Sequence, residues 1–294
     1  MTKFFTPNFS LEEVTTNLSK YGNSCIILAG GTDVMIQNRR GEIETDRFLH
    51  VEKIASLKGI TIDDKIHIGA ITSHKTIAQS ELINKFSPSL AMASATIGGW
   101  QTQSAGTLGG NICNASPAAD TIPALLVANA IISLQSVGKD RKVRIEDFIL
   151  SRRKTQRLED EIVTEISLEP LPEDSFEQYY KVGPRSSMEV ALSGIAVRVT
   201  FNSLGDVSNA AIAVCAVGPK PFRSRSAEAE LIGSKLEEAD ISNAASKLSD
   251  EIQPLNDFRA SARYRKQVTH SALVKILRDF KHQQQQQQQQ KAVQ

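Results

Sequence analysis

The chain has 294 residues, 40% of them apolar and 23% charged. That is the composition of a globular chain long enough for two modest cores, not of a disordered one. A formal net charge of +1 excludes the strong field that would favour nucleic acid or an anionic membrane, and no apolar run approaches the roughly 20 residues of a membrane span.

The opening MTKFFTPNFS carries no apolar h-region, so no secretory signal is expected. Ser10-Leu11-Glu12-Glu13 reads as a capping box, after which Leu11, Val14 and Leu18 share one helical face. CIILAGG reads as a buried strand running into glycines, with Thr32 or Asp33 capping a short helix through Val34 and Ile36. RFLHV is a further strand, and ITIDDKIHIGAI a hairpin with Asp63-Asp64 in its turn. Helices are expected at about 74–84 and 89–97. Ser116-Pro117 has the look of an N-cap followed by proline at the first helical position. Pro123 then demands a turn before a second helix at about 122–129. AIISLQSV and KVRIEDFI form a strand pair around Gly138-Lys139-Asp140, and EIVTEISLEPLPED is a strand ending in a proline-bearing connection. The domain boundary is placed there, giving units of 1–174 and 175–281.

The second unit has a different texture. Three strand-like runs, YYKVG, GIAVRVTF and NAAIAVCAVG, precede helices near 226–236, 240–250 and 257–281, which is the order of an α+β domain. Residues 282–294, with Gln283 to Gln290 unbroken, are low in complexity and are expected to be disordered.

Two glycine clusters stand out for chemistry: Ala29-Gly30-Gly31-Thr32-Asp33 and Gly106-Thr107-Leu108-Gly109-Gly110-Asn111. Glycine permits positive φ and lets backbone N–H groups converge, forming an anion nest without lysine or arginine. Two such nests suit a dinucleotide diphosphate flanked by sugars, with Asp120 able to accept a hydrogen bond from a sugar hydroxyl. Taken singly, either cluster is read equally well as a tight turn with no ligand. GxGxxG opening a βαβ unit and GxxxxGK[ST] are both absent.

Cys25, Cys113 and Cys215 are dispersed and match neither a disulfide framework nor a metal-cluster spacing, which points to a reducing, cytoplasmic address. Cys113 reads as a small apolar filler. The five histidines are scattered into packing or surface roles, and Ser116 lacks a GxSxG context. No catalytic acid, base or nucleophile set and no metal-ligand set is found, so a bound cofactor would have to carry any chemistry.

LAGGTD, followed by IGG, GTLGGNICNASPAAD and PALL, resembles the FAD-binding subunit of the molybdenum hydroxylases, the family of xanthine dehydrogenases and the carbon monoxide dehydrogenase medium chain. The likeness runs from about Phe5 to Phe280 and includes YYKVGPR and a closing ARYRKQVTHSALVKIL helix. It implies an α+β fold: a two-part FAD-binding domain of the vanillyl-alcohol-oxidase (PCMH) type, then a smaller α+β domain. It further implies that Ile27, Leu28, Ala29, Gly30, Gly31, Thr32, Asp33 and Val34 wrap the diphosphate of a noncovalent FAD. Thr107, Leu108, Gly109, Gly110 and Asn111 would form a second wall, and Asp120 would take a ribityl or sugar hydroxyl. Ile97, Val163 and Lys181 match three further flavin-contacting positions, with Arg185 near the same mouth. Gln103 stands where many relatives carry arginine, and the four-cysteine insertion of some relatives is absent.

The implied role is electron transfer inside an assembly. A large molybdopterin subunit would hydroxylate substrate, and a small subunit with [2Fe-2S] clusters would pass electrons to FAD here. NAD+ or another acceptor would take them up, and a dimer of three-chain units is expected. Two other readings stand beside it: a stand-alone flavin-dependent oxidase of the same fold, and a scaffold relative that has lost the cofactor.

Overall fold

A computed structural model describes residues 4–45, 47–184 and 189–293. In the first unit, β1 (Phe4–Pro7), α1 (Leu11–Tyr21), β2 (Cys25–Leu28), α2 (Val34–Arg39) and β3 (Arg47–His50) form a small parallel subdomain with strand order β1-β3-β2. Ser10 caps α1 by accepting from the Glu13 amide at 3.2 Å, while Val14 and Leu18 fill a core of their own beneath the strands. Ser10 supplies its half of the capping box, whereas the Glu13 carboxylate accepts from the Phe9 amide at 2.7 Å and not from that of Ser10.

The second part holds β4 (Ile60–Ile62), β5 (Ile66–Gly69), α3 (His74–Gln79), α4 (Glu81–Phe86), α5 (Pro88–Ala95), α6 (Trp100–Ala105), α7 (Leu108–Asn114) and α8 (Thr121–Val127). It continues through β6 (Ile131–Ser136), β7 (Lys139–Arg144), α9 (Ile145–Phe148), the hairpin β8 (Ile149–Ser151) and β9 (Lys154–Thr155), and β10 (Ile162–Leu168). An antiparallel sheet of order β4-β5-β10-β6-β7 presents one apolar face to α5, α7 and α8. The alternation in β6 is complete: Ile132 and Leu134 are buried and their neighbours are not.

The C-terminal unit begins with an antiparallel sheet of β11 (Ser175–Val182), β12 (Ser193–Phe201), β13 (Val207–Cys215) and β14 (Phe222–Arg223). Helices α10 (Arg225–Leu231), α11 (Glu238–Glu251) and α12 (Ala262–Val293) cover one face, burying Ile195, Val197, Val199 and Phe280. The opposite face carries Tyr179, Ala196 and Ala213 into the core of the first unit. The sheet is therefore a shared wall. Its two faces serve two cores, which explains why the apolar run of β12 does not alternate.

Several elements depart from the sequence expectation. The single helix expected at 74–84 is two helices, because Ser80 turns the chain and caps α4 from its hydroxyl. Ser116-Pro117 starts a turn, not a helix, with the Ser116 hydroxyl and carbonyl accepting from the Ala118 and Ala119 amides. Pro123 then sits in the first turn of α8, where its missing N–H costs nothing. IEDF, expected as strand, is the short helix α9. Residues 282–294, expected without structure, continue α12 as far as Val293, in keeping with glutamine being a good helix former. Gln284 bonds there to the Gly205 carbonyl at 3.1 Å.

Candidate functional site

β2 delivers the chain to Ala29, and α2 begins five residues later at Val34. Between them Gly31 has φ +69°, and the Met35 amide bonds back to the Gly31 carbonyl at 3.1 Å. The backbone N–H groups of Ala29 through Val34 have no hydrogen-bond partner among the described residues. Asp33 flanks the helix start but makes no side-chain capping bond, so the capping expectation for Thr32 or Asp33 is not met. The result is a row of free donors at a strand end and a helix start, which is what an anion nest requires.

The second glycine cluster lies directly against the first. A Cβ placed on Gly30 would overlap the Ala105 carbonyl oxygen, and one on Gly106 would come 3.4 Å from the Thr32 hydroxyl oxygen. Gly30 and Ala105, 75 positions apart, thus bring the two clusters into one wall. Their physics differs, however. Leu108, Gly109 and Asn111 donate their amides to the Thr72, Ala70 and Thr107 carbonyls, and Gly110 donates to the Thr107 hydroxyl. The Thr107-to-Asn111 segment is accordingly not an open nest but the capped first turn of α7, and its glycines show no positive φ. Gly109 is needed for close approach: a Cβ there would stand 2.7 Å from the Ala70 carbonyl oxygen. The segment that does leave amides free is Gly98 through Thr102, with Gly98 at φ +49°. Ile97, half-buried, introduces it.

The remaining expected positions separate into support and surface. Leu28, Leu108 and Val163 are buried in the cores below the wall, Val163 on β10 under α7. Ile27, Ala29, Gly31, Thr32 and Val34 are half-buried, whereas Gly30, Asp33 and Gly110 are exposed. Asn111 accepts from the Thr121 hydroxyl at 2.7 Å. Its amide nitrogen is left to donate.

Asp120 is not turned to solvent. Its Oδ1 accepts from the Tyr179 hydroxyl at 2.7 Å and its Oδ2 from Lys181 Nζ at 2.9 Å. Lys181 Nζ also donates to the Thr96 carbonyl at 2.9 Å. Desolvation pushes the Asp120 carboxyl upward, and the Lys181 charge and Tyr179 hydroxyl oppose that shift. The pair ties the C-terminal sheet to the chain that leads into Ile97 and Gly98. Arg185 lies outside the described residues.

His74 escaped the sequence reading. It opens α3, its amide donates to the Gly106 carbonyl at 3.1 Å, and its ring is 2% exposed beside Gly106. Its Nδ1 is buried without a partner, and burial pushes the imidazole down to about 4 from 6.5. The only signal in the sequence was its place just after a capping serine. A histidine whose folded pKa lies below its unfolded value favours folding above pH 6.5 and loses that contribution as pH falls toward about 4. Wild type is expected to lose about 2 kcal/mol between pH 7 and pH 5 that His74→Phe does not lose, measured by urea unfolding at both values. Parallel pH dependences in the two proteins would refute this.

The hairpin turn gathers Asp63, Asp64 and His67, with the His67 ring between Glu165 at 3.0 Å and Asp63 at 3.1 Å. The Glu165 hydrogen bond is the largest cause of the upward shift of His67. Cys113 packs on the first core and desolvation raises its thiol pKa, in keeping with a filler. Among the described residues, no helix is long and apolar enough to cross a membrane.

Comparison with known proteins adds to this geometry. Residues 2–171 match the family described as FAD binding domain in molybdopterin dehydrogenase, and residues 178–280 match the CO dehydrogenase flavoprotein C-terminal domain. The glyceraldehyde dehydrogenase medium chain of Sulfolobus acidocaldarius is 30% identical over 86% of this chain and 89% of its own. The nicotinate dehydrogenase FAD-subunit of Eubacterium barkeri is 28% identical over 94% and 95%. Among solved structures, the carbon monoxide dehydrogenase of Hydrogenophaga pseudoflava superposes with a TM-score of 0.89 at 25% identity, over 94% of this chain and 96% of its own.

Proposed function

Because the chain belongs to the family of FAD-binding domains in molybdopterin dehydrogenases, a family of oxidoreductases, we propose that the free amides between β2 and α2 hold the diphosphate of a noncovalent FAD. The observation that carries this reading is the row of unpaired N–H groups from Ala29 to Val34, bent by the positive φ of Gly31. Backbone donors at a helix start suit a diphosphate because they bring partial positive charge without a mobile side chain.

Each of the residues expected at the site takes a distinct part. Ile27, Leu28 and Val34 brace the cradle, Gly30 admits the second wall, and Thr32 offers a hydroxyl beside Asp33. Thr107 caps α7 and so fixes Gly109 and Gly110, while Asn111 turns an amide outward. Leu108 and Val163 support that wall from below. Asp120 acts through Lys181: it holds the ammonium against the Thr96 carbonyl, which sets Ile97 and the free amides of Gly98 to Thr102.

FAD, when bound, supplies two-electron and one-electron redox chemistry. In this reading the chain is the medium subunit of a cytoplasmic molybdenum hydroxylase. It works with a large molybdopterin subunit and a small [2Fe-2S] subunit in a dimer of heterotrimers, with NAD+ or another acceptor as the electron outlet. The unit boundary is placed at 174/175. Support comes from relatives that are themselves named as medium chains or FAD-subunits of dehydrogenases.

The test is a visible absorption spectrum and an FAD titration of the purified chain, with Gly31→Asp as the variant. A carboxylate introduced among the free amides is expected to weaken FAD binding at least about 100-fold. Far-UV circular dichroism should be unchanged. FAD bound equally by the variant would overturn the cradle assignment, and a chain that never takes up FAD, alone or with partners, would favour a scaffold. Flavin reduction by a small substrate without any partner would favour the stand-alone oxidase.

A further inference from the structure

A cavity of about 270 Å³ opens on the seam between the two units, away from the glycine wall. Its floor is set by the register of the C-terminal sheet. Glu177, Arg198 and Ala211 lie side by side across β11, β12 and β13, and Ser175, Thr200 and Asn209 form the next row on the same face. That face meets the first unit, so Arg198 and Thr200 emerge between the sheet and Val127, Asn129 and Pro172.

Four guanidinium groups line the space: Arg198 at the floor, Arg223 on the wall, and Arg144 and Arg225 at the rim. Arg198 is 5% exposed; its Nε donates to Glu177 and its Nη1 to the Glu169 carbonyl at 3.2 Å. Its Nη2 has no partner among the described residues and is screened from the space as well. The donors that an entering group would meet first are those of Arg144 and Arg225 at the rim. Carboxylates are present but turned to other work. Glu228 takes Arg223 and Arg225, Glu146 takes Arg144 and Arg225, and Glu177 takes Arg198. Glu169, on the lining, accepts from the Asn129 amide at 2.7 Å. Formal charge is therefore near balance. Donors are in surplus, because each guanidinium carries five N–H groups and none here spends them all.

We infer that this cavity is a binding site for an oxyanion of the phosphate class, held by Arg144 and Arg225 over the wall that Arg198 and Arg223 form. The volume is several times the roughly 30 Å³ of one water, so it admits a phosphate together with part of a molecule bearing it. Planar forks match a tetrahedral oxyanion in pairs of hydrogen bonds, which gives both strength and orientation. Thr200 and Asn209 add neutral donors on the sheet side. The site is built from both units at once, so occupancy would also clamp the seam.

Isothermal titration calorimetry on the full chain, with inorganic phosphate and separately with AMP at constant ionic strength, tests this directly. Saturable binding is expected, weakened at least about tenfold in Arg144→Gln/Arg225→Gln. Asn209→Asp, an exposed position that places a negative charge on the cavity wall, is expected to abolish it with the flavin content unaltered. AMP binding more tightly than phosphate would assign a phosphorylated organic ligand, and equal affinities would assign the free ion. No saturable binding of either probe would overturn the inference, as would unchanged affinity in both variants.

Discussion

Gly30→Ala is expected to weaken FAD binding roughly 100-fold while leaving the secondary structure in place. The added Cβ would land on the Ala105 carbonyl, which is backbone and cannot rotate away. Nor can the segment behind it retreat. The Gly106 amide is bonded to the Thr102 carbonyl at 2.7 Å, and the Gly106 carbonyl accepts from His74 at 3.1 Å. The strain is therefore released by parting the two glycine segments, which spreads the free amides of Ala29 to Val34. Overpacking of this kind costs about 1–3 kcal/mol. Gly41→Ala is the control, since Gly41 has φ +71° but nothing within 4 Å of its would-be Cβ. It should lose a little stability and no FAD affinity. A fluorescence-quench titration with FAD measures both variants, and equal affinities would remove the wall from the account of binding.

The largest stability effect is expected at Glu177 and Arg198. Their ion pair is almost wholly buried, with side-chain exposures of 0% and 6%. Glu177 is also the point where the C-terminal sheet meets α5: its Oε1 accepts from the Ser89 amide at 3.0 Å, the Ser89 hydroxyl at 2.6 Å and the Ser87 hydroxyl at 3.3 Å. Three such donors at the start of α5 tie the carboxylate, and with it the sheet, to the helix. Breaking a buried pair by removing one partner typically costs about 3–5 kcal/mol, because the other charge is left uncompensated. Glu177→Leu should lie at or above the top of that range, since it strands a buried guanidinium and the serine donors together. Arg198→Met should cost less, because the serines still satisfy the carboxylate. Urea unfolding curves give the comparison, and equal small losses for both variants would refute this account of the seam.

Helix α1, the hairpin at Asp63-Asp64 and the order of the C-terminal elements were legible from the sequence because their causes are local. A capping serine, an alternation of two or a glycine in a two-residue turn acts within a few positions. Gly138, at φ +69° between β6 and β7, is one such case. The glycine clusters were also visible, and the family resemblance carried by them, with its α+β two-unit fold and FAD, agrees with the family matches over residues 2–171 and 178–280. The errors share a cause too. Ser116-Pro117 and IEDF have signals compatible with two local structures, and packing chose between them.

What no local pattern could tell is which backbone donors remain unpaired. The clusters at 29–33 and 106–111 look alike as runs of glycine and threonine, yet among the described residues the second keeps only the Thr107 amide free. In the second, Thr72 and Ala70 supply carbonyl acceptors from more than 30 positions away. The same holds for Asp120, whose partners Tyr179 and Lys181 come from the other unit, and for His74, buried only because α3 folds against Gly106. Hydrogen-bond satisfaction and burial are properties of the assembled fold, because every donor competes for acceptors brought near by long-range packing. The chain's residues thus announce the cofactor class and the elements that present it, whereas the division of labour among the site's residues exists only once the two units have closed on their shared sheet.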